Sequence, residues 1–398
     1  MKMILLSKAA KYSKHKIDAS LVSLENFVTT DNILQNKFGV TTATSLPLGC
    51  KSMPSYQSGN ILVGNIRPYL KKIWYANRSG GNSPDVLVFD VNKEFDSKFV
   101  YYSLFRDDFF IHMMKGSKGT KMPRGNKDQI LDFLIPDFEL LDQQKIASVL
   151  SALDAKIDLN NQINAELEKM AKTIYDYWFV QFDFPDENGK PYKSSGGKML
   201  WNEQLKREIP DGWKDNSLWE IAKYYNGLAM QKNRPTSDDY LPVIKIKEMN
   251  EGFSEKTEKA RADISSEAIV NDGDVLFSWS ATLDVKIWSG GKGALNQHIF
   301  KVTSNKYPKT FYYFELRNYL EHFKMMADNR KTTMGHITQD HLKQSRIAIP
   351  PVKLIEKLDS ILAPILTKQL VLHQENQELV KIRDWLLPML MNGQVKVN

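Results

Sequence analysis

Three residues of this chain have the order and spacing of a metal-dependent nuclease motif: Asp85, which follows a proline, then Asp96 and Lys98. Two carboxylates and a nearby lysine can hold a divalent cation and activate water for attack on a phosphodiester. Patterns this short also arise by chance, and a turn before a strand followed by a charged helix start explains the same residues. An orphan metal-dependent nuclease is therefore kept only as an alternative.

The remaining residues with chemical potential do not assemble into an active site. The Gly-rich stretches at 115–121 and 289–294 lack the GxxxxGK[ST] form of a phosphate loop. The histidines are scattered, and Cys50 is the single cysteine, so no Cys/His set has zinc-ligand spacing. We expect no catalytic residue, no metal and no cofactor in this chain. The sequence indicates a binding protein.

The charge distribution favours a polyanionic partner. The 398 residues carry a net charge of +7, and the excess of Lys and Arg lies in residues 1–140 and 201–350. Such an excess suits a nucleic acid, although an ordinary solvated surface gives the same modest sum. The sequence has no stretch of about 18 apolar residues and only one cysteine, so we expect a cytoplasmic protein without membrane contact.

The elements that must position these cations occur twice. The segment DAKIDLNNQINAELEKMAKTIYDYWF (154–179) matches TKQLVLHQENQELVKIRDWLLPML (367–390) at an offset of 212 positions. Upstream, KGTKMPRG (118–125) corresponds to NRKTTMGH (329–336). A repeat of this length predicts that a whole domain and the helix after it are duplicated.

Within each repeat the residue pattern predicts mixed α and β structure. Apolar and β-branched runs bounded by turn residues predict strands, and one long aromatic-rich segment in each repeat predicts a helix. The predicted strands lie at 61–66, 71–76, 86–91 and 132–138 and at 275–279, 285–289, 298–302 and 346–352, and the predicted helices at 97–114 and 310–327.

A long helix is predicted after each globular repeat, because apolar residues follow the alternating three- and four-residue spacing of a coiled-coil seam. The predicted fold class is therefore α+β, with two mixed α/β domains separated by two long antiparallel helices in an internal pseudo-two-fold repeat. The predicted boundaries are 1–140, 141–200 (helical spacer and linker), 201–350 and 351–398. The predicted seam residues are Ile146, Leu150, Leu153, Ile157, Leu167, Ile174, Leu358, Leu362, Ile365, Leu372, Leu379 and Leu386.

Polar residues and prolines interrupt this seam. Asn164 and Asn376 either set the register of the helix pair or lie at a solvated edge, and the sequence leaves both open. Pro364 and Pro388 are expected to kink or shorten the second helix, which leaves an ordered core at 366–387.

The stretch from Gln143 onward (QQKIASVL, SALDAKIDLNNQ, YWFVQFDF) and the IPDGW segment at 209–213 resemble the specificity subunits of type I restriction-modification systems, the HsdS family. The resemblance implies a non-catalytic DNA reader. Each globular domain would be a target recognition domain for one half of a split asymmetric site, and the helices would set the spacer between the halves.

The resemblance also implies the partners. These are double-stranded DNA, two modification (methyltransferase) subunits and restriction (motor-nuclease) subunits. It assigns S-adenosylmethionine to the modification subunits, and ATP with Mg to the restriction subunits. A coiled-coil scaffold whose globular domains bind proteins remains a second alternative.

Contacts with DNA need cations on exposed loops for phosphates and forked donors for bases. The loops at 116–126 and 329–338 are favoured because the repeat makes them equivalent. The predicted DNA-binding residues are Asn65, Arg67, Lys71, Lys118, Lys121, Arg124, Lys232, Arg234, Trp279, Asn296, Gln297, Arg330, Lys331 and His336.

Overall fold

The computed structural model describes residues 2–119, 121–328 and 336–397. The chain divides into two compact units. The first unit is Met1–Ile157 with Glu378–Asn398, and the second unit is Asp158–Gln377. Both divisions fall inside long helices, so each unit contains one globular domain and a segment of each helix. The boundaries at 140, 200 and 350 stay a prediction.

The first unit contains two four-stranded sheets. One has the strand order Ala10–Tyr12, Val86–Val91, Ile61–Gly64, Ile73–Tyr75, and all its pairs are antiparallel. The other has the order Lys16–Asp18, Ser52–Tyr56, Gly80–Asn82, Phe27–Val28, and a two-stranded sheet pairs Met3–Leu5 with Leu134–Pro136. The helices are Leu6–Ala9, Ser97–Phe105, Asp107–Lys115 and Lys127–Leu131.

The second unit has corresponding sheets. One has the order Lys223–Asn226, Ile299–Thr303, Val275–Ser278, Asp284–Ile287, and the other Lys259–Arg261, Tyr240–Ile244, Gly293–Leu295, Ile269–Val270. Two-stranded sheets pair Met199–Asn202 with Arg207–Pro210 and Lys214–Ser217 with Arg346–Ile349. The helices are Leu218–Ile221, Ile246–Glu251, Lys309–Asp328 and Gln339–Gln344.

A fully buried central strand organises each unit. In the strand Ile61–Gly64, Ile61 and Val63 pack into the cluster that contains the helices, while Leu62 packs toward the second sheet. The strand Val275–Ser278 is buried in the same way. Because side chains alternate across a strand, three consecutive apolar residues such as Ile61–Val63 or Val275–Phe277 fit only where both faces are covered.

One predicted helix differs from the structure. The segment 97–114 forms two helices, because Arg106 has an extended backbone (φ −67°, ψ 147°) between Phe105 and Asp107. Asp107 and Asp108 then lie in the first turn of the second helix, where the positive end of the helix dipole favours carboxylates.

The two long helices are Leu140–Tyr175 and Val352–Met391, and a π-helical turn, Asp176–Val180, follows the first. Their segments run antiparallel within each unit, as predicted. In the first unit, Arg383 Nη1 bonds Asp154 Oδ1 (2.9 Å) and the Tyr102 hydroxyl donates to Asp154 Oδ2 (2.6 Å). The predicted seam residues are all buried or half-buried.

The predicted shortening of the second helix is wrong, because Pro364 and Pro388 both lie inside Val352–Met391. Proline already has the helical φ, so its cost is one lost hydrogen bond and a local clash, about 3 kcal/mol. Burial of residues such as Leu362, Leu372 and Leu390 along the same helix outweighs that cost.

An asparagine network joins the long helices in the second unit. Asn160 Nδ2 donates to Asn376 Oδ1 (2.9 Å), and Asn376 Nδ2 donates to Asn161 Oδ1 (2.8 Å). Asn376 is therefore a buried register contact, but its partners are Asn160 and Asn161. Asn164 is also buried, and its backbone carbonyl accepts a bond from Gln369 (3.1 Å).

Candidate nucleic-acid interface

Three segments of the first unit meet where its central strand ends. Asn65, the residue after Ile61–Gly64, donates its backbone N–H to the carbonyl of Asp85 (2.9 Å) and accepts a bond from the N–H of Gly125 (3.2 Å). The neighbouring Ile66 and Arg124 form a β-bridge. The loop that contains Arg124 is thus attached to the sheet through backbone atoms.

The second unit has the same backbone arrangement. Trp279, the residue after Val275–Ser278, donates its N–H to the carbonyl of His298 (3.4 Å) and accepts a bond from the N–H of Ile337 (2.9 Å). We call each set of three segments a recognition frame. Its side chains are Asn65, Asp85 and Arg124 in the first unit and Trp279, His298 and His336 in the second.

The first frame contains an oriented arginine. Arg124 Nη2 lies 3.2 Å from Asp85 Oδ1 and 3.3 Å from Asp85 Oδ2, and 60% of the arginine side chain is exposed. The backbones of Lys118 and Arg124 exchange two hydrogen bonds of 3.0 Å, which places the lysine beside the frame. Lys121 is exposed at the tip of the same loop.

Two predicted cations follow the central strand of the first unit, and both have left-handed backbones (φ 52°). Arg67 donates its N–H to the Pro123 carbonyl (2.8 Å), so it lies against the loop that contains Arg124. Non-glycine residues with this conformation are often found at functional sites. Lys71 is different, because its Nζ forms an ion pair with Asp107 (2.6 Å), which also binds Lys37.

The second frame is aromatic. The Trp279 ring lies 5.7 Å from the His298 ring and 5.5 Å from the His336 ring, and its Nε1 donates to Asn226 Oδ1 (3.1 Å). Stacking on a base and contact with a thymine methyl group are the interactions such a surface makes best.

The amide candidates of the second unit lie beside this frame. Asn296 is buried, and Gln297 donates its N–H to the Leu228 carbonyl (3.1 Å). Lys232 and Arg234 are exposed on the segment that follows Leu228. The structure therefore places Asn296 and Gln297 next to His298 of the second frame, while Arg330 and Lys331 lie outside the described residues.

Comparison with known families identifies the chain. The family model of the type I restriction modification DNA specificity domain matches residues 9–169 and 210–381, which is more than half of the sequence. The chain belongs to this family. The fold class and the role of type I specificity subunit that the sequence predicted are thereby confirmed.

Individual relatives agree with this family. The specificity subunit of the type I restriction enzyme MjaIX of Methanocaldococcus jannaschii is 27% identical over 314 residues, 76% of this chain and 69% of that protein. The HindI specificity subunit of Haemophilus influenzae is 24% identical over 437 residues, 93% of this chain and 94% of that protein.

A solved structure also resembles this chain. The crystal structure of a type I restriction-modification S subunit from M. genitalium has a TM-score of 0.58 at 14% identity, and the match covers 98% of this chain and 96% of that one. At that identity the likeness concerns the fold alone.

For a member of this family, the structure also explains the nuclease-like pattern. Asp96 caps the helix Ser97–Phe105, accepting the N–H of Phe99 (2.8 Å), and Asp85 holds Arg124. Both carboxylates thus have structural partners.

Within residues 2–119, 121–328 and 336–397, no helix combines the length and apolar character of a membrane span.

Sequence reasoning missed two members of the frames. Asp85 was considered only as a metal ligand, and His298 was not singled out. The repeat offset could have identified both residues. Arg124 and His336 are equivalent candidates, and Asp85 and His298 precede them at nearly the same offset, just before equivalent strands. A search for equivalent positions, instead of cations alone, would have paired them.

Proposed function

We propose that this chain is a non-catalytic reader of a split DNA site, in which each unit recognises one half. The observation that carries the proposal is the recurrence of one recognition frame in both units, held by equivalent backbone hydrogen bonds at the end of the central strand. Because these bonds use backbone atoms, the side chains can differ between units while the geometry is kept.

The cations around the frames suit contacts with the DNA backbone. Lys118 and Lys121 are exposed on the loop of the first frame, and Lys232 and Arg234 are exposed on the segment that follows Leu228 in the second unit. Flexible exposed cations bind phosphates without reading sequence. We assign affinity to these four residues and sequence preference to the frames.

The long helices would bind two copies of a modification subunit. Exposed apolar residues recur on them at the repeat offset: Leu140 with Val352, Leu159 with Val371, and Met170 with Ile382. Helix faces of a water-soluble protein normally carry polar residues, so exposed apolar positions that repeat favour a repeated partner. The modification subunits would bind S-adenosylmethionine and flip the target base for methylation, and restriction subunits would supply ATP- and Mg-dependent cleavage.

Whole-genome methylation mapping tests the proposed function. Deletion of this gene from its host should remove one split methylation motif, and expression of the gene should restore it. If the deletion removes no methylation motif, the proposal is contradicted. Metal-dependent DNA cleavage by the isolated chain would favour the nuclease alternative.

We predict that the double variant Lys118→Ala, Lys121→Ala weakens DNA binding similarly for every sequence. The negative slope of log K against log salt should become less steep by about 2, because each phosphate contact contributes about one unit. Binding of the complex to specific and scrambled duplexes at several salt concentrations measures this. The matched control is Lys156→Ala on the first long helix. An unchanged slope would remove the loop from the DNA interface.

We predict that Met170→Glu and Ile382→Glu each reduce the complex from two modification subunits to one. A carboxylate placed in an apolar contact must lose its hydration without a partner, which is unfavourable. Native mass spectrometry of the co-expressed complex counts the subunits, and Thr173→Glu on the first helix serves as the control. Two bound subunits in both variants would show that these positions lie outside the docking surface.

A further inference from the structure

The two recognition frames have the same backbone hydrogen bonds, but their side chains differ: the first is charged and the second is aromatic. The first presents Asp85 and Arg124, because the predicted DNA-binding residue Asn65 is buried, and the second presents Trp279 with two histidines. The difference between them therefore lies in what each frame can bind. An ion pair at one frame and aromatic rings at the other suit different bases.

Arg124 is restrained by an ion pair with Asp85. Its Nη2 is shared by both carboxylate oxygens, at 3.2 Å and 3.3 Å. Among the residues that the structure describes, no acceptor is bonded to its Nε or Nη1. The carboxylate therefore restrains the Nη2 end of the guanidinium while its other donors remain available.

An oriented guanidinium has a specific match among the bases. Its two parallel N–H groups fit the O6 and N7 acceptors that guanine presents in the major groove, and adenine replaces one of these acceptors with a donor. Lysine has the same charge but no planar fork, so it binds phosphates well and discriminates bases poorly.

We propose that Arg124, positioned by Asp85, reads a guanine in the DNA half-site of the first unit. This inference rests on the proposed function and adds a base identity to it. The equivalent position of the second unit is His336, beside Trp279, so the guanine preference belongs to one half-site only. Asp85 is a positioning residue, and Arg124 is the residue that touches the base.

The test is methylation mapping with the full chain and its modification subunits, using Arg124→Lys and Asp85→Asn. Arg124→Lys keeps the charge and removes the fork, while Asp85→Asn keeps the size and removes the orienting charge. In both variants one guanine position of one half-site should accept other bases, with discrimination reduced by about tenfold to a hundredfold. The other half-site should stay unchanged. The control, Lys121→Ala, should lower overall methylation but keep the motif.

An unchanged motif in Arg124→Lys would overturn the inference, and so would relaxation of both half-sites. Relaxation of the same position by Lys121→Ala would also overturn it, because a general loss of affinity would then explain the effect. These outcomes are distinct from failure of the proposed function, in which the wild-type chain itself would yield no split motif.

Discussion

Leu150→Ala and Leu362→Ala are each expected to lower the free energy of unfolding by about 2–5 kcal/mol, because the removed methyl groups leave a cavity in a packed core. Both side chains are 0% exposed and occupy equivalent positions of the repeat. Leu150 belongs to the apolar cluster of the first unit, with Leu387 and Leu390, and Leu362 to that of the second, with Leu358 and Leu366.

Hydrogen exchange should locate each effect. Leu150→Ala should reduce amide protection in Val86–Val91 of the first unit, and Leu362→Ala should reduce it in Ile299–Thr303 of the second. Leu159→Ala is the control, since that side chain is 50% exposed and its loss should change stability by less than about 0.5 kcal/mol. Equal loss of protection in both strands from either variant would contradict two separate cores.

Glu315→Gln is expected to stabilise the second unit at pH 8 by about 3 kcal/mol, from a pKa difference of roughly 2.5 units. Glu315 is buried in the helix Lys309–Asp328 and accepts a hydrogen bond from the Tyr175 hydroxyl (2.6 Å). Burial raises the pKa of Glu315 from 4.5 to about 7; Tyr175 and Arg207 lower it less, and Asp176 raises it further. Glutamine keeps an acceptor for Tyr175 and never ionises.

The sign of the pH dependence follows from this raised pKa. The folded state holds the Glu315 proton more tightly than the unfolded state does. The contribution of Glu315 to the free energy of unfolding is therefore complete below pH 4.5 and is lost as the pH rises through about 7. Chemical denaturation between pH 5 and 8 should show this fall in the wild type and its absence in Glu315→Gln. Glu321→Gln on the exposed side of the same helix is the control. Parallel pH profiles for wild type and Glu315→Gln would contradict the expected burial effect.

Local patterns were sufficient for most secondary structure. The strand at 86–91 was predicted with its observed bounds, Val86–Val91, because five of its six residues are apolar, the exception being Asp90, and such a run between turns has few other stable arrangements. The two long helices were also predicted, from the spacing of residues such as Leu150 and Leu362. The length of the second helix was predicted wrongly because of its prolines. The sequence shows the free-energy cost of a proline inside a helix, but it does not show the burial of apolar side chains that outweighs this cost.

The asparagines show where pattern reasoning stops. Asn376 could be assigned to the seam, but its partner could not be identified among Asn160, Asn161 and Asn164. The choice depends on the rotation and axial position of one helix against the other, which a single helical repeat does not specify. In the structure Asn160 and Asn161 bond Asn376 within the second unit.

The sequence by itself determined the duplication, the two long helices, the mixed α/β character of each half and the family, because these depend on patterns between neighbouring residues and on the repeat offset. Only the tertiary structure decided that Asp85 lies against Arg124, and that Trp279 lies between His298 and His336. These residues come from segments far apart in the chain, and the backbone hydrogen bonds at the end of each central strand bring them together.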